Sequence, residues 1–204
     1  MSSRLRRLIE KMQSLFSLLT SWRASPEEKL SIHALSLYKK YASTIQSILG
    51  SPDIPNIEIR VSNELQVPAS TSGTTVALNF QYFDEHKDDG AMIHEFVHAV
   101  HRCPRYDSDT AWLIEGIADY IRDVLNFQNT ASYPHFEKDK ALLGYQTTAH
   151  FLFWLEKKNP GSITLLSKHL INNTYSKNVF YDVFSIALDG LVSDYEKIQG
   201  IDNG

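Results

Sequence analysis

The chain has 204 residues, 43% of them apolar and 22% charged, with a formal charge of -4 and a pI near 6.0. That is enough chain to bury one sizeable core, and the absence of Lys or Arg blocks beyond Arg4, Arg6 and Arg7 argues against nucleic acid as a partner. Cys103 is the single cysteine, which excludes an intrachain disulfide, and no apolar run reaches the ~18 residues of a membrane span.

Leu5, Leu8, Met12, Leu15, Phe16 and Leu19 fall at helical spacing, so residues 1–25 read as an amphipathic N-terminal helix or a targeting segment. Glu10 and Lys11 interrupt the approach to a short apolar run, and no small-x-small site follows near Trp22 and Arg23. A cleaved signal is therefore not expected, which leaves a cytoplasmic location or secretion by a non-standard route. Residues 26–204 read as one further domain.

Pro26-Glu27-Glu28 opens a helix running to about Leu49, with Leu30, Ala34, Leu37, Tyr38, Tyr41, Ile45 and Ile48 as its apolar stripe and Gly50-Ser51-Pro52 as its stop. Ile57 to Val67 reads as strand with a turn at Ser62-Asn63, Pro68 to Gly73 as loop, and Thr74 to Phe80 as strand. The rest reads as helical. Asp88-Asp89-Gly90 offers a cap for Ala91 to Arg102, and Asp109 one for Thr110 to Asn126. Leu142 to Lys157 follows a loop rich in Asn, Ser and Pro. Shorter helices are expected around Ile163–Ile171, Asn178–Leu188 and Leu191–Ile198.

His94-Glu95-Phe96-Val97-His98 is an HExxH motif inside a segment that reads independently as a helix. Histidines at i and i+4 project from one face, so two imidazoles can converge on one zinc ion while Glu95 points at its open position. The letters alone arise by chance at an appreciable rate. Trp112 to Tyr120 strengthens them: sixteen residues separate His98 from Glu115, which begins a pair of carboxylates at i and i+4 on a second helix. Glu115 as third ligand gives His2Glu with an open position, the composition of a catalytic rather than a structural site. Asp119, one turn on, is placed to take the free ring N–H of His94, though i,i+4 carboxylates also serve as solvated salt-bridging groups.

In these blocks the sequence resembles the basic secretory protein family, zinc peptidase-like proteins of the gluzincin type. The resemblance spans roughly Asn56 to Tyr195: the HExxH helix, EGIADY at Glu115 to Tyr120, the stretch Gly144 to Leu152, and Leu191 to Tyr195. It implies an α+β, zincin-like fold, with a small twisted sheet of about three strands in the N-terminal half packed on a mainly helical remainder. It implies a metallopeptidase with one Zn2+ per chain, peptide or protein substrates, and Glu95 as general base. Tyr145 is implied as a second donor to the oxyanion, with His150 the runner-up. The strand Thr74 to Phe80 is implied as the cleft's edge strand, with Asn79 contributing to substrate binding. The chain departs from the family in its mildly acidic charge, and in His150, where the plant pattern is expected to carry Arg.

Other readings stand beside these. Tyr145 can pack beneath Phe151 and Trp154; His101 is a turn too far for the same metal; Cys103 reads as a packed thiol beside Pro104. A catalytically silent zincin scaffold and a zinc hydrolase of non-peptide amides or esters are the competing functions.

Overall fold

The computed structural model describes residues 24–127 and 140–202, with side chains to residue 200. The helix expected over residues 1–25 lies outside that range in all but its last two positions.

The first element shows how locally determined the helices are. Ser25 caps helix α1 (Pro26–Leu49) by accepting from the Glu28 amide, Glu28 returns the bond to the Ser25 amide, and Pro26 fills the first turn. Gly50, at φ +63°, ends it by donating back to Gln46 and Ser47. Its apolar stripe buries Ala34, Leu37, Tyr38, Ala42, Ile45 and Leu49.

Three strands follow, β1 (Glu58–Ser62), β2 (Ala69–Ser72) and β3 (Thr75–Asn79), in the spatial order β1-β3-β2, with β1 parallel and β2 antiparallel to β3. Val76 and Leu78 of β3 are buried, and the side chains between them are only partly covered, so one sheet face packs on the helices. The sheet corrects three expectations. Strand β1 ends at Ser62 rather than Val67, and residues 69–72, read as loop, form a strand. The strand Thr75–Asn79 is the centre of the sheet, not its edge. Small polar residues such as Ser70, Thr71 and Ser72 give no apolar alternation, and they are extended because they pair with β3.

Helix α2 (Phe80–His86) was not marked out by the sequence pattern; Asn79 starts it by accepting from the Tyr82 amide. Asp88 caps α3 (Asp89–His101), accepting from Ala91. Helix α4 (Ala111–Val124) is buried from Trp112 to Ile121 and forms the centre of the helical half. Asp109 does not cap it. Asp107 Oδ1 accepts from the Asp109 and Thr110 amides instead, because the Asx turn two residues earlier satisfies the donors first. Helix α5 (Tyr145–Lys158) packs along α4, and α6 (Ser162–Ile171), α7 (Val179–Phe184) and α8 (Leu188–Asp202) complete the chain. The architecture is α+β, a small mixed sheet in the N-terminal half and a mostly helical remainder. Among the described residues no helix is long and apolar enough to cross a membrane.

Gly116 is what lets α4 and α5 approach closely: a Cβ built there would meet Thr148 Cγ2 at 2.1 Å and Thr148 Cβ at 2.7 Å. Thr148 cannot move freely, since its hydroxyl accepts from the Gly144 amide and donates to the Ala141 carbonyl. Gly116→Ala is therefore expected to destabilise the fold by about 2 kcal/mol, the overpacking outweighing alanine's helix preference. In a thermal melt that is a fall of about 4–8 °C for a chain of this size. Adding Thr148→Ser, which deletes Cγ2 and keeps the hydroxyl, recovers part of it; an unchanged midpoint for Gly116→Ala contradicts the close approach.

Candidate metal centre

Helix α3 has two faces. Met92, Ile93, Phe96, Val97 and Val100 enter the core, whereas Ala91, His94, Glu95 and His98 line an open cleft of about 1130 Å3. Strand β2 forms one wall of the cleft, α4 brings Ile114, Glu115, Asp119 and Arg122, and the turn before α5 together with that helix's first residues brings Leu143 to Thr147.

Three side chains converge in it. His94 Nε2 lies 2.9 Å from His98 Nε2 and 3.1 Å from Glu115 Oε2, and His98 Nε2 lies 3.5 Å from that same oxygen. All three ligand atoms lie within 4.8 Å of one another, a set that could hold a metal ion. His94 and Glu115 are each 7% exposed. Two ring nitrogens that close need a cation or a proton between them, and the electrostatics of the cluster show the same demand. Burial, the largest influence on His94, pulls its pKa down, but hydrogen bonds to Asp119 and Glu115 and the charges of Asp119 and Glu95 more than offset it and hold the pKa up at about 10. Burial works against ionised Glu115 too, and the two histidines reverse it, holding the carboxyl well below the usual range. The carboxylates around His94 thus favour positive charge within the cluster.

Around the three, each neighbour has a defined task. Asp119 Oδ1 accepts from His94 Nδ1 at 2.7 Å, which turns Nε2 into the cluster; Arg122 Nη1 stands 4.0 Å from the same oxygen while Arg122 Nη2 donates to Asp88. Glu95 is outside the triangle. Thr71 of β2 lies within hydrogen-bond distance of both the Glu95 carboxylate (Oε2, 2.7 Å) and its backbone carbonyl (3.0 Å), tying strand to helix at this residue. Tyr106, in the loop between α3 and α4, donates its hydroxyl to Glu115 Oε1 at 2.8 Å; desolvation of that hydroxyl, although the ring is largely exposed, and its bond to the carboxylate raise the phenol's pKa well above the ordinary value.

Tyr145 lies on the cleft, its ring stacked at 6.0 Å on that of His94 rather than beneath Phe151 and Trp154, which stack on each other. It starts α5 with φ +50°, directly after Gly144 at φ +92°. A tyrosine in the left-handed region is strained, and the strain presents this side chain, 56% exposed, to the cleft. Asn79 and His150 are elsewhere. Asn79 uses its amide to cap α2 and to donate to the Leu65 carbonyl, and neither residue is part of the cleft wall. His101 is buried with Ser167 on Nε2, and burial lowers its pKa to about 3, so it stays neutral. Burial likewise pushes the Cys103 thiol up to about 12, so it offers no thiolate.

Sequence reasoning did not single out Thr71, Tyr106 or Arg122. Thr71 carries no pattern of its own, and its role depends on the strand pairing that the sequence hid. Tyr106 and Arg122 had a usable signal: the loop that returns the chain to Glu115 must pass the site, and Arg122 follows Asp119 at i+3 on the same helix.

A family model described as BSP, peptidase of plants and bacteria, matches residues 23–195. No curated protein and no solved structure matches the chain.

Proposed function

The chain belongs to this peptidase family of plants and bacteria, and from that premise we propose that it is an active zinc metallopeptidase with His94, His98 and Glu115 as the ligands. The observation that carries the reading is the triangle of ligand atoms. Bonds of about 2.0–2.1 Å to a tetrahedral zinc place ligand atoms about 3.3 Å apart, and the three separations of 2.9, 3.1 and 3.5 Å bracket that value. The donor set fits as well: two imidazoles and one carboxylate, with Asp119 fixing the ring of His94.

A zinc ion held there supplies a Lewis acid that polarises a carbonyl and brings the pKa of water towards neutrality. The chain's own residues do the rest. Glu95, next to the ligands and engaged, among the described residues, by Thr71, takes the proton of the attacking water and returns it to the leaving amine. Tyr145 offers its hydroxyl to the developing oxyanion.

The substrate strand has a place. In the β2–β3 ladder the Asn79 amide donates to the Pro68 carbonyl, and hydrogen-bonded pairs alternate along an antiparallel ladder. Ser70 and Ser72 therefore face β3, and Ala69 and Thr71 turn their N–H and C=O groups to the open edge, on the cleft side. An extended peptide pairs with β2 there, not with β3, and passes Glu95 through Thr71.

The test is hydrolysis of fluorescein-labelled casein. Zinc-loaded protein is expected to release peptides, to stop with phenanthroline and to resume on added zinc. Metal-loaded protein that cleaves esters or small amides and leaves casein and peptide libraries intact sinks the peptidase reading.

A further inference from the structure

We infer that Tyr106 is a positioning residue for Glu115, holding one carboxylate oxygen so that the other alone faces the metal; the inference rests on the ligand assignment above. The two oxygens of Glu115 have separate partners. Oε1 accepts from the Tyr106 hydroxyl at 2.8 Å, while Oε2 faces His94 Nε2 and His98 Nε2. A carboxylate left to itself can rotate and present both oxygens to a cation. With Oε1 occupied by a donor, Glu115 is a one-oxygen ligand, and the site keeps its fourth position open.

Tyr106 is not placed there by packing. It is 62% exposed, so its ring gains little from burial, and the hydroxyl contact is what fixes it. The loop that carries it is itself tied down. Thr110 Oγ1 donates to the Arg105 carbonyl, Asp107 Oδ1 accepts from the Asp109 and Thr110 amides, and Arg105 pairs with Asp107. The bonds to Asp109 and Thr110 join the residues flanking Tyr106 to the start of α4, the helix that presents Glu115, and the Arg105–Asp107 pair ties those two flanking residues to each other. The phenol and its acceptor are thereby held by one short, internally bonded unit, with Glu115 nine positions after Tyr106. A surface tyrosine with an incidental neighbour needs none of this.

The experiment is Tyr106→Phe, which keeps the ring and removes the hydroxyl, studied in the full chain with zinc alone and with cobalt alone. Zinc affinity is measured by competition with a chromogenic chelator, and the geometry is read from the visible absorption of bound cobalt, which weakens as coordination rises from four to five. The variant is expected to bind zinc at least about tenfold more weakly and to show a weaker cobalt band, as Glu115 swings to two-oxygen binding. The metal-free thermal midpoint reports any loss of folding separately. Affinity within about threefold of wild type, or an unchanged cobalt band, overturns the role of Tyr106 and leaves the ligand assignment standing. Wild type that takes up neither metal overturns the assignment itself, and the role of Tyr106 with it.

Discussion

Glu95→Gln is expected to keep its metal and to lose peptide hydrolysis by about 10³-fold, the middle of the range for removing a general base. The substitution is nearly isosteric, and an amide oxygen can still accept from Thr71 Oγ1, so the link between β2 and α3 survives. What disappears is the ability to take a proton. The geometry makes this a clean separation, because Glu95 stands outside the ligand triangle, whereas His94 on the preceding residue is inside it. Metal content measured beside the rate decides the matter. A variant that loses its metal makes Glu95 a ligand, and one within tenfold of wild-type rate makes another group the base.

The second large effect is expected at Asp119. Its carboxylate, 4% exposed, takes the Nδ1–H of His94 at 2.7 Å, and removing it leaves a buried N–H without an acceptor. Breaking such a buried pair costs about 3 kcal/mol or more, so Asp119→Ala should melt about 6–12 °C lower. Metal affinity should fall about 10–100-fold as the His94 ring loses its orientation. Asp119→Asn separates the two effects: an amide oxygen accepts from Nδ1–H, which restores much of the stability, but it lacks the charge that makes the ring a strong donor to the metal. Equal metal affinity in wild type and Asp119→Ala would reduce Asp119 to a local salt bridge with Arg122.

What could be read from the sequence was whatever is written in local spacing. The i,i+4 histidines, the i,i+4 carboxylates and the Pro26-Glu27-Glu28 opening of α1 are each encoded within five residues, and the structure brings His94, His98, Glu115 and Asp119 together. The contacts that complete the site are non-local. Thr71 meets Glu95 because Ser70 and its neighbours pair with β3, and four small residues carry no sign of that pairing. The same pairing moved the open edge from β3 to β2. Asn79 stands away from the cleft wall for a local reason: ending a strand and preceding Phe80-Gln81-Tyr82, it is a helix cap, and its side chain also donates to the Leu65 carbonyl. His150 shares a face of α5 with Gln146 but lies one turn further along, beyond the first residues of the helix that line the cleft.

The most direct measurement of the central claim is zinc per chain by mass spectrometry on protein prepared without chelator, wild type beside Glu115→Ala, each dialysed after loading. Wild type should hold close to one zinc per chain and Glu115→Ala close to none, because two imidazoles alone do not retain the ion through dialysis. A variant that keeps as much zinc as wild type would place the third ligand elsewhere, and a wild type that takes up no zinc would contradict the metal centre altogether.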